Sequence, residues 1–100
     1  MVLLVKVTYN DDSDGSTNLD VMVCENAIRA EIRLEKIIQN EFDLNDKSLR
    51  EIAEELNEEF VHCSWDNESK TFSWYDNGKG ETFVIADVNE FKKDLFQNIY

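Results

Sequence analysis

The first 25 residues contain two short apolar segments separated by a polar cluster. Residues 2–9 (VLLVKVTY) are β-branched and apolar and predict a strand. In residues 19–25, Leu19, Val21 and Val23 alternate with less apolar neighbours, which predicts a returning strand. The cluster NDDSDGSTN between them is typical of a turn. Together they predict a hairpin with a longer loop.

Residues 26–42 (NAIRAEIRLEKIIQNEF) fit two patterns. From Ile28 to Leu34 apolar and charged residues alternate, as they do in a strand. The apolar residues from Ala27 to Ile38 also fit one face of a helix. Because Ala, Arg, Glu, Leu and Lys favour helices, we expect a helix here, with Asn26 as its N-cap.

Residues 48–60 carry the clearest helical pattern. Their apolar residues fall at i, i+3, i+4, i+7 and i+11 and form one stripe: Leu49, Ile52, Ala53, Leu56 and Phe60. Ser48 and Glu51 match a capping box. The helix therefore begins at Ser48 or, alternatively, already at Asn45 or Asp46.

After Phe60 the hydrophobic period changes to two. VHCSWD, TFSWYD and ETFVIADV predict three strands joined by the turns NESK and NGKG, and Asn77-Gly78 is a strong hairpin signal. Alternation predicts the core side of this meander, with Tyr75 off that face: Val61, Cys63, Trp65, Phe72, Trp74, Phe83 and Ile85. Phe91, Leu95 and Ile99 predict a last helix that begins near Asp87 or Asn89. The order ββααβββα predicts one α+β domain over residues 1–100, with an antiparallel sheet packed against helices.

Composition adds a strong negative charge. The chain has 22 acidic and 10 basic residues, a net charge of −12. Such a protein repels nucleic-acid phosphates and anionic lipid, so basic protein surfaces are the expected partners, with no direct contact to nucleic acid or membrane. Residues 11–25 carry five acids and no base, and residues 41–60 carry eight acids against two bases.

The segment SLREIAEEL, residues 48–56, is typical of the first helix of a helix-turn-helix. That motif requires a second helix after a turn of about 3–4 residues. Here strand and turn patterns follow, and no basic element is available for a major groove. The segment therefore predicts no DNA reader.

The glutamates of the same helix suggest a protein-binding surface instead. They cover the face opposite the apolar stripe, and only Arg50 with Glu54 forms a favourable i,i+4 pair. The alternative is a solvated face that only keeps the protein soluble. The predicted partner-binding residues are the helical glutamates, the acids of the first hairpin and one aromatic anchor: Glu51, Glu54, Glu55, Glu58, Glu59, Asp11, Asp12, Asp14, Asp20 and Tyr75.

No catalytic or metal-binding motif is evident, and no cofactor is expected. NDDSDGSTNLDV resembles a calcium-binding EF-hand loop, but Val21 stands where that loop requires a glutamate. His62 and Cys63 are neighbours on a predicted strand and so point to opposite faces. We expect two free, buried thiols, at Cys24 and Cys63. No apolar run approaches the length of a membrane span and no signal peptide is evident, so a cytoplasmic protein is expected.

A third group of charges lies in the first predicted helix. Arg29, Arg33 and Lys36 share one side of that helix. They could hold an anionic group, although pairing with Glu25, Glu31 and the acidic helix is the preferred expectation.

In general character the chain is similar to the small, acidic, Pro-free inhibitors of phages and mobile elements, a resemblance of composition and not of motif. Several such proteins block restriction or CRISPR enzymes, sometimes by imitating DNA. The resemblance implies a non-enzymatic inhibitor with an acidic surface for a nucleic-acid-binding enzyme. The alternatives are a small structural or assembly domain that acts as a homodimer and an immunity protein for a nuclease toxin.

Overall fold

The computed structural model describes residues 1–10, 16–59 and 62–87. These residues form a five-stranded antiparallel sheet with two helices, so the predicted α+β class is confirmed. In chain order the elements are β1 Val2–Asn10, β2 Ser16–Cys24, α1 Ala27–Phe42, α2 Leu49–Leu56, β3 His62–Asp66, β4 Thr71–Asp76 and β5 Lys79–Asp87. The predicted order is confirmed through β5, whereas the predicted last helix lies outside the described residues.

The strands are arranged in the order β2-β1-β5-β4-β3. The predicted hairpin β1–β2 and the predicted meander β3–β4–β5 supply these strands. The antiparallel pairing of β1 with β5 joins them, with Val2 opposite Asp87. Asn77 and Gly78 connect β4 to β5 with φ angles of 51° and 81°. Two central residues with positive φ are typical of the type I′ hairpin turn that this dipeptide predicts.

Helix α1 settles the ambiguity of residues 26–42 in favour of a helix. The Asn26 side chain accepts a hydrogen bond from the Arg29 amide at 2.9 Å, which confirms the predicted N-cap. Ala30, Leu34 and Ile38 are fully buried against the sheet. The helical pattern prevails because these three residues lie on one helical face and bury together.

Helix α2 is shorter than predicted. Ser48 is its N-cap with extended backbone, so a start at Asn45 or Asp46 is wrong, and the capping box with Glu51 is formed in both directions. The helix ends at Leu56, and residues 57–59 form turns. The Asn57 side chain accepts a hydrogen bond from the Cys63 amide at 3.2 Å, which directs the chain into β3.

The two helices cover one face of the sheet, and the core lies between them and that face. Its largest fully buried side chains are Phe72, Phe83, Leu34, Ile38 and Ile52. The predicted core side of β3, β4 and β5 is confirmed for the described residues, because Cys63, Phe72 and Phe83 are buried and Trp65, Trp74 and Ile85 pack against them. Val61 lies outside the described residues.

No helix of the described residues covers the opposite face of the sheet. Side chains alternate across a strand, so the register places every second residue of β1, β2 and β5 on this face. We call it the open face and define it by Leu3, Val5, Val7, Leu19, Val21, Val23, Thr82 and Val84. Its β2 residues Leu19, Val21 and Val23 are 64%, 53% and 64% exposed.

Candidate functional site

The predicted helical glutamates form one exposed patch on α2 and the turn that follows it. We call it the acidic surface: Glu51, Glu54, Glu55, Glu58 and Glu59, all of them exposed. The apolar stripe of α2 forces this arrangement, because Leu49, Ile52, Ala53 and Leu56 turn toward the core.

The members of the acidic surface differ in how their carboxylates are engaged. Glu51 accepts a hydrogen bond from the Ser48 amide at 3.1 Å, and this bond holds the pKa of Glu51 below its usual range. Glu55 forms an exposed ion pair with Lys47, Nζ to Oε2, at 3.5 Å. Within the described ranges, Glu54, Glu58 and Glu59 form no ion pair. Three carboxylates therefore remain available to a partner.

The favourable pair expected between Arg50 and Glu54 is not formed within 4.0 Å. Both side chains instead line a shallow groove of about 360 Å³ with residues of β3, among them Cys63 and Trp65. Arg50 therefore leaves the charge of Glu54 without a direct ion pair.

The remaining predicted acids are not part of this patch. Asp11, Asp12 and Asp14 lie outside the described residues. Asp20 is exposed on β2, whereas α2 packs against β3, and these strands are the opposite edges of the sheet. At about 4.8 Å between neighbouring strands, the two edges are roughly 19 Å apart. The structure therefore does not bring Asp20 and the acidic surface together.

Tyr75 is also separate from the acidic surface. Its position off the Phe72 and Trp74 face is as predicted, and its ring stacks on Tyr9 with centroids 6.2 Å apart. Gly80 lies opposite both tyrosines in the register. A Cβ at Gly80 would come within 2.5 Å of the Tyr9 ring and 2.6 Å of the Trp74 carbonyl oxygen, so glycine permits the stack.

A cleft of about 500 Å³ lies between the free edge of β2 and the adjacent side of α1. We call it the basic cleft, and its lining residues are Met22, Val23, Cys24, Glu25, Arg29, Ile32, Arg33 and Lys36. Among the described residues, Arg29, Arg33 and Lys36 form no ion pair, so their expected pairing with nearby acids is wrong. Glu31 instead binds Lys70 at 3.1 Å, and the Arg33 Nε donates to the Met22 sulfur at 3.1 Å.

A buried polar cluster lies on the helix-covered face, around Glu81, which is only 6% exposed. Its Oε2 lies 3.1 Å from the Lys6 Nζ, and its Oε1 accepts a hydrogen bond from the Trp74 Nε1 at 3.0 Å. The Glu41 carboxyl, near the end of α1, shares a third hydrogen bond with Glu81. The cluster thereby connects the C-terminal end of α1 to three strands.

The two carboxyl groups of this cluster titrate in opposite directions. Desolvation, together with the hydrogen bond and charge of Glu81, raises the pKa of Glu41 to about 8. Burial would raise the pKa of Glu81, but hydrogen bonds from Glu41, Trp74 and Lys6 hold it below its usual range. The raised pKa of Glu41 favours its protonated form, which can donate a hydrogen bond to the Glu81 carboxylate.

Sequence patterns did not identify this cluster, although they contained its signal. Glu81 is in phase with Phe83 and Ile85 on β5, and Lys6 is in phase with Val2 and Leu4 on β1. A charged residue on an apolar face needs a partner when it is buried. The register of β1 against β5 supplies that partner, and no local pattern could do so.

The remaining reactive groups lie apart from one another. His62 is exposed and Cys63 is buried, as their opposite faces predict, and burial raises the pKa of the Cys63 thiol to about 11. Cys24 is a free thiol that is only partly buried, where full burial was expected. Within the described residues, no three His, Cys, Asp or Glu side chains converge on a point that could hold a metal ion.

Comparisons with known proteins add no family. No protein-family model, no curated protein and no solved structure matches this chain. None of the helices in the described residues is long and apolar enough to cross a membrane.

Proposed function

We propose that this protein is a non-enzymatic inhibitor that binds a basic, nucleic-acid-binding enzyme through the acidic surface of α2. The observation that carries the proposal is the exposure of that surface together with its lack of ion pairs. All five of its glutamates are exposed, and Glu54, Glu58 and Glu59 have no ion-pair partner among the described residues.

The arrangement of these glutamates supports a binding role over a purely solvated face. Residues four apart on a helix lie about 5–6 Å from one another, so the like-charged pair Glu51–Glu55 costs a few tenths of a kcal/mol. An approaching basic surface would relieve this repulsion. It would also gain a faster, salt-sensitive association from complementary charge.

The acidic surface is also held firmly enough to serve as a rigid template. The capping box fixes the first turn of α2, and Ile52 and Leu56 anchor the helix in the core. A charged row on a fixed helix loses little conformational entropy when it binds, which favours affinity.

The test is an affinity capture from a bacterial lysate with the whole chain as bait. Captured proteins are eluted in steps of rising salt, identified by mass spectrometry and challenged with duplex DNA as a competitor. We expect a nucleic-acid enzyme that moderate salt and DNA both release, because salt screens surface charges over about 10 Å.

A matched pair of variants makes this test specific. Glu54→Lys with Glu58→Lys should abolish the capture, whereas Glu25→Lys with Glu68→Lys, exposed and outside α2, should leave it unchanged. Both variants change the net charge by the same amount. Equal loss in both would indicate nonspecific charge attraction, and an undiminished capture by the first variant would contradict the proposal.

A further inference from the structure

Among the described residues, no strand pairs with the outer edge of β2, which is long and largely apolar. β2 pairs with β1 over nine residue pairs in continuous register, from Asn10–Ser16 to Val2–Cys24, without a bulge. Natural edge strands are commonly protected by lysine, proline, a bulge or short length, because unpaired backbone groups recruit other strands. β2 has no lysine, proline or bulge and is nine residues long, and its only charged residue is Asp20 on the helix-covered face.

The other edge of the sheet shows the protection that β2 lacks. β3 has only five residues, and the Asn57 side chain accepts the hydrogen bond of its Cys63 amide. In the described part of the chain, no side chain forms a comparable bond with the backbone of β2. An exposed strand of this kind has one chemically obvious occupant, a second strand.

We propose that a second copy of this chain pairs with the β2 edge, antiparallel and centred on Val21, to form a continuous ten-stranded sheet. A two-fold axis through Val21 places it opposite Val21 of the second copy. Leu19 then lies opposite Val23 of that copy, and Val23 opposite its Leu19. The three most exposed residues of the open face are thereby paired with one another.

The helix-covered face agrees with the same register. Asp20 of the second copy lies opposite Met22, and the Arg33 Nε already contacts the Met22 sulfur at 3.1 Å. Directly opposite residues in an antiparallel pair lie about 4.5–5.5 Å apart. The Asp20 carboxylate therefore enters the basic cleft, where Arg33 lacks an acidic partner among the described residues.

Neighbouring symmetric registers are less favourable. Centring the pair on Asp20 would place two carboxylates directly opposite each other, which is destabilising. Centring it on Met22 would place the apolar Leu19 opposite Glu25. Among these three registers, the one centred on Val21 pairs the apolar residues of the open face with one another and places Asp20 beside Arg33 on the other face.

The charge of the acidic surface does not oppose this assembly, because that surface lies at the far edge of each sheet. In a ten-stranded sheet the two β3 strands, with the acidic surfaces beside them, are roughly 40 Å apart. Salt screens charges over about 10 Å, so the acidic surfaces of the two copies hardly repel each other.

Disulfide crosslinking tests both the dimer and its register. Val21→Cys on the two-fold axis should crosslink to itself under mild oxidation, because the opposed Cα atoms lie within the range of about 4.4–6.8 Å that a disulfide requires. Leu19→Cys should not crosslink to itself, since its two copies are offset by roughly 14 Å along the strands. A mixture of Leu19→Cys with Val23→Cys should crosslink.

The crosslinking variants carry Cys24→Ser to remove the partly buried thiol. Equal self-crosslinking of Leu19→Cys and Val21→Cys would overturn the register.

Sedimentation equilibrium of the whole chain provides the second measurement. We expect the mass of a dimer for the natural chain and of a monomer for Val21→Lys at the same concentration. Ile28→Lys is the matched control, because Ile28 is 73% exposed on α1 outside the basic cleft, and it should remain a dimer. A monomeric natural chain, or a dimer that Val21→Lys leaves intact, would overturn the proposal.

Discussion

The two edges of the sheet differ in length, covering and charge. At the β3 edge, a short strand donates a hydrogen bond from its Cys63 amide to the Asn57 side chain. This strand lies against α2, which carries the acidic surface. At the β2 edge, a nine-residue strand has a free outer side and borders the basic cleft of α1. The net charge of −12 is therefore not spread evenly, although the sequence total suggests a uniformly acidic protein.

The two proposals assign these edges to different partners. A surface on which three carboxylates lack an ion pair among the described residues favours a basic partner, whereas an apolar edge beside the basic cleft favours a strand that carries both apolar residues and an acid. The two edges are separated by about 19 Å of sheet. A substitution at one edge therefore makes no direct contact with residues of the other edge.

The largest expected effect comes from the anchor of the acidic surface in the core. Ile52 on α2 is fully buried, whereas Ile28 on α1 is 73% exposed. Ile52→Ala should lower the free energy of unfolding by about 2–5 kcal/mol, because it removes buried methyl groups and leaves a cavity. Ile28→Ala should change it by less than about 0.5 kcal/mol. Urea denaturation of both variants measures the contrast, and similar losses would show that α2 is not anchored as described.

The helix caps are expected to have a smaller effect. Ser48→Ala removes the N-cap of α2 and Asn26→Ala removes the N-cap of α1, and each should reduce stability by about 1 kcal/mol. Thermal unfolding measures this loss in both variants. Only Ser48→Ala should also weaken capture of a basic partner, because it loosens the first turn beneath the acidic surface. A binding loss of the same size in Asn26→Ala would remove the distinction between the two helices.

The smallest expected effect is the pH dependence of the Glu41–Glu81 pair. The fold favours the protonated form of Glu41, so its stabilising contribution is fully present below the ordinary pKa of 4.5 and is lost as the pH rises through about 8. Glu41→Gln keeps a hydrogen-bond donor at every pH. It should be more stable than the natural chain at pH 9, by about 0.5 kcal/mol because Glu41 is exposed, and the difference should become smaller toward pH 5.5.

Melting temperatures between pH 5.5 and 9 test this expectation. The control is Glu58→Gln, which removes an exposed carboxyl that has no ion-pair partner within the described residues. Its melting temperature should follow the natural chain across this range. Parallel profiles for Glu41→Gln and the natural chain would show that the pair does not share a proton.

Local patterns predicted most elements because each element has a strong local cause. The period of two, the Asn77-Gly78 turn and the capping box of Ser48 all depend on residues close together in the chain. The predicted end of α2 lay several residues beyond the observed one. The Asn57 side chain accepts a hydrogen bond from the Cys63 amide, six residues further along the chain, and this bond directs the chain into β3. A contact of that kind has no periodic signature.

The sequence by itself determined the fold class, the acidic face of α2 and the position of Tyr75 opposite the core. Only the tertiary structure decided that Asp20 lies at the other edge, that Glu81 meets Lys6 and Glu41, and that Arg29, Arg33 and Lys36 lack acidic partners among the described residues. The physical reason is the distance along the chain over which each interaction acts. Periodicity and capping act within a few residues, whereas charges on different elements meet only after strands distant in the chain have paired.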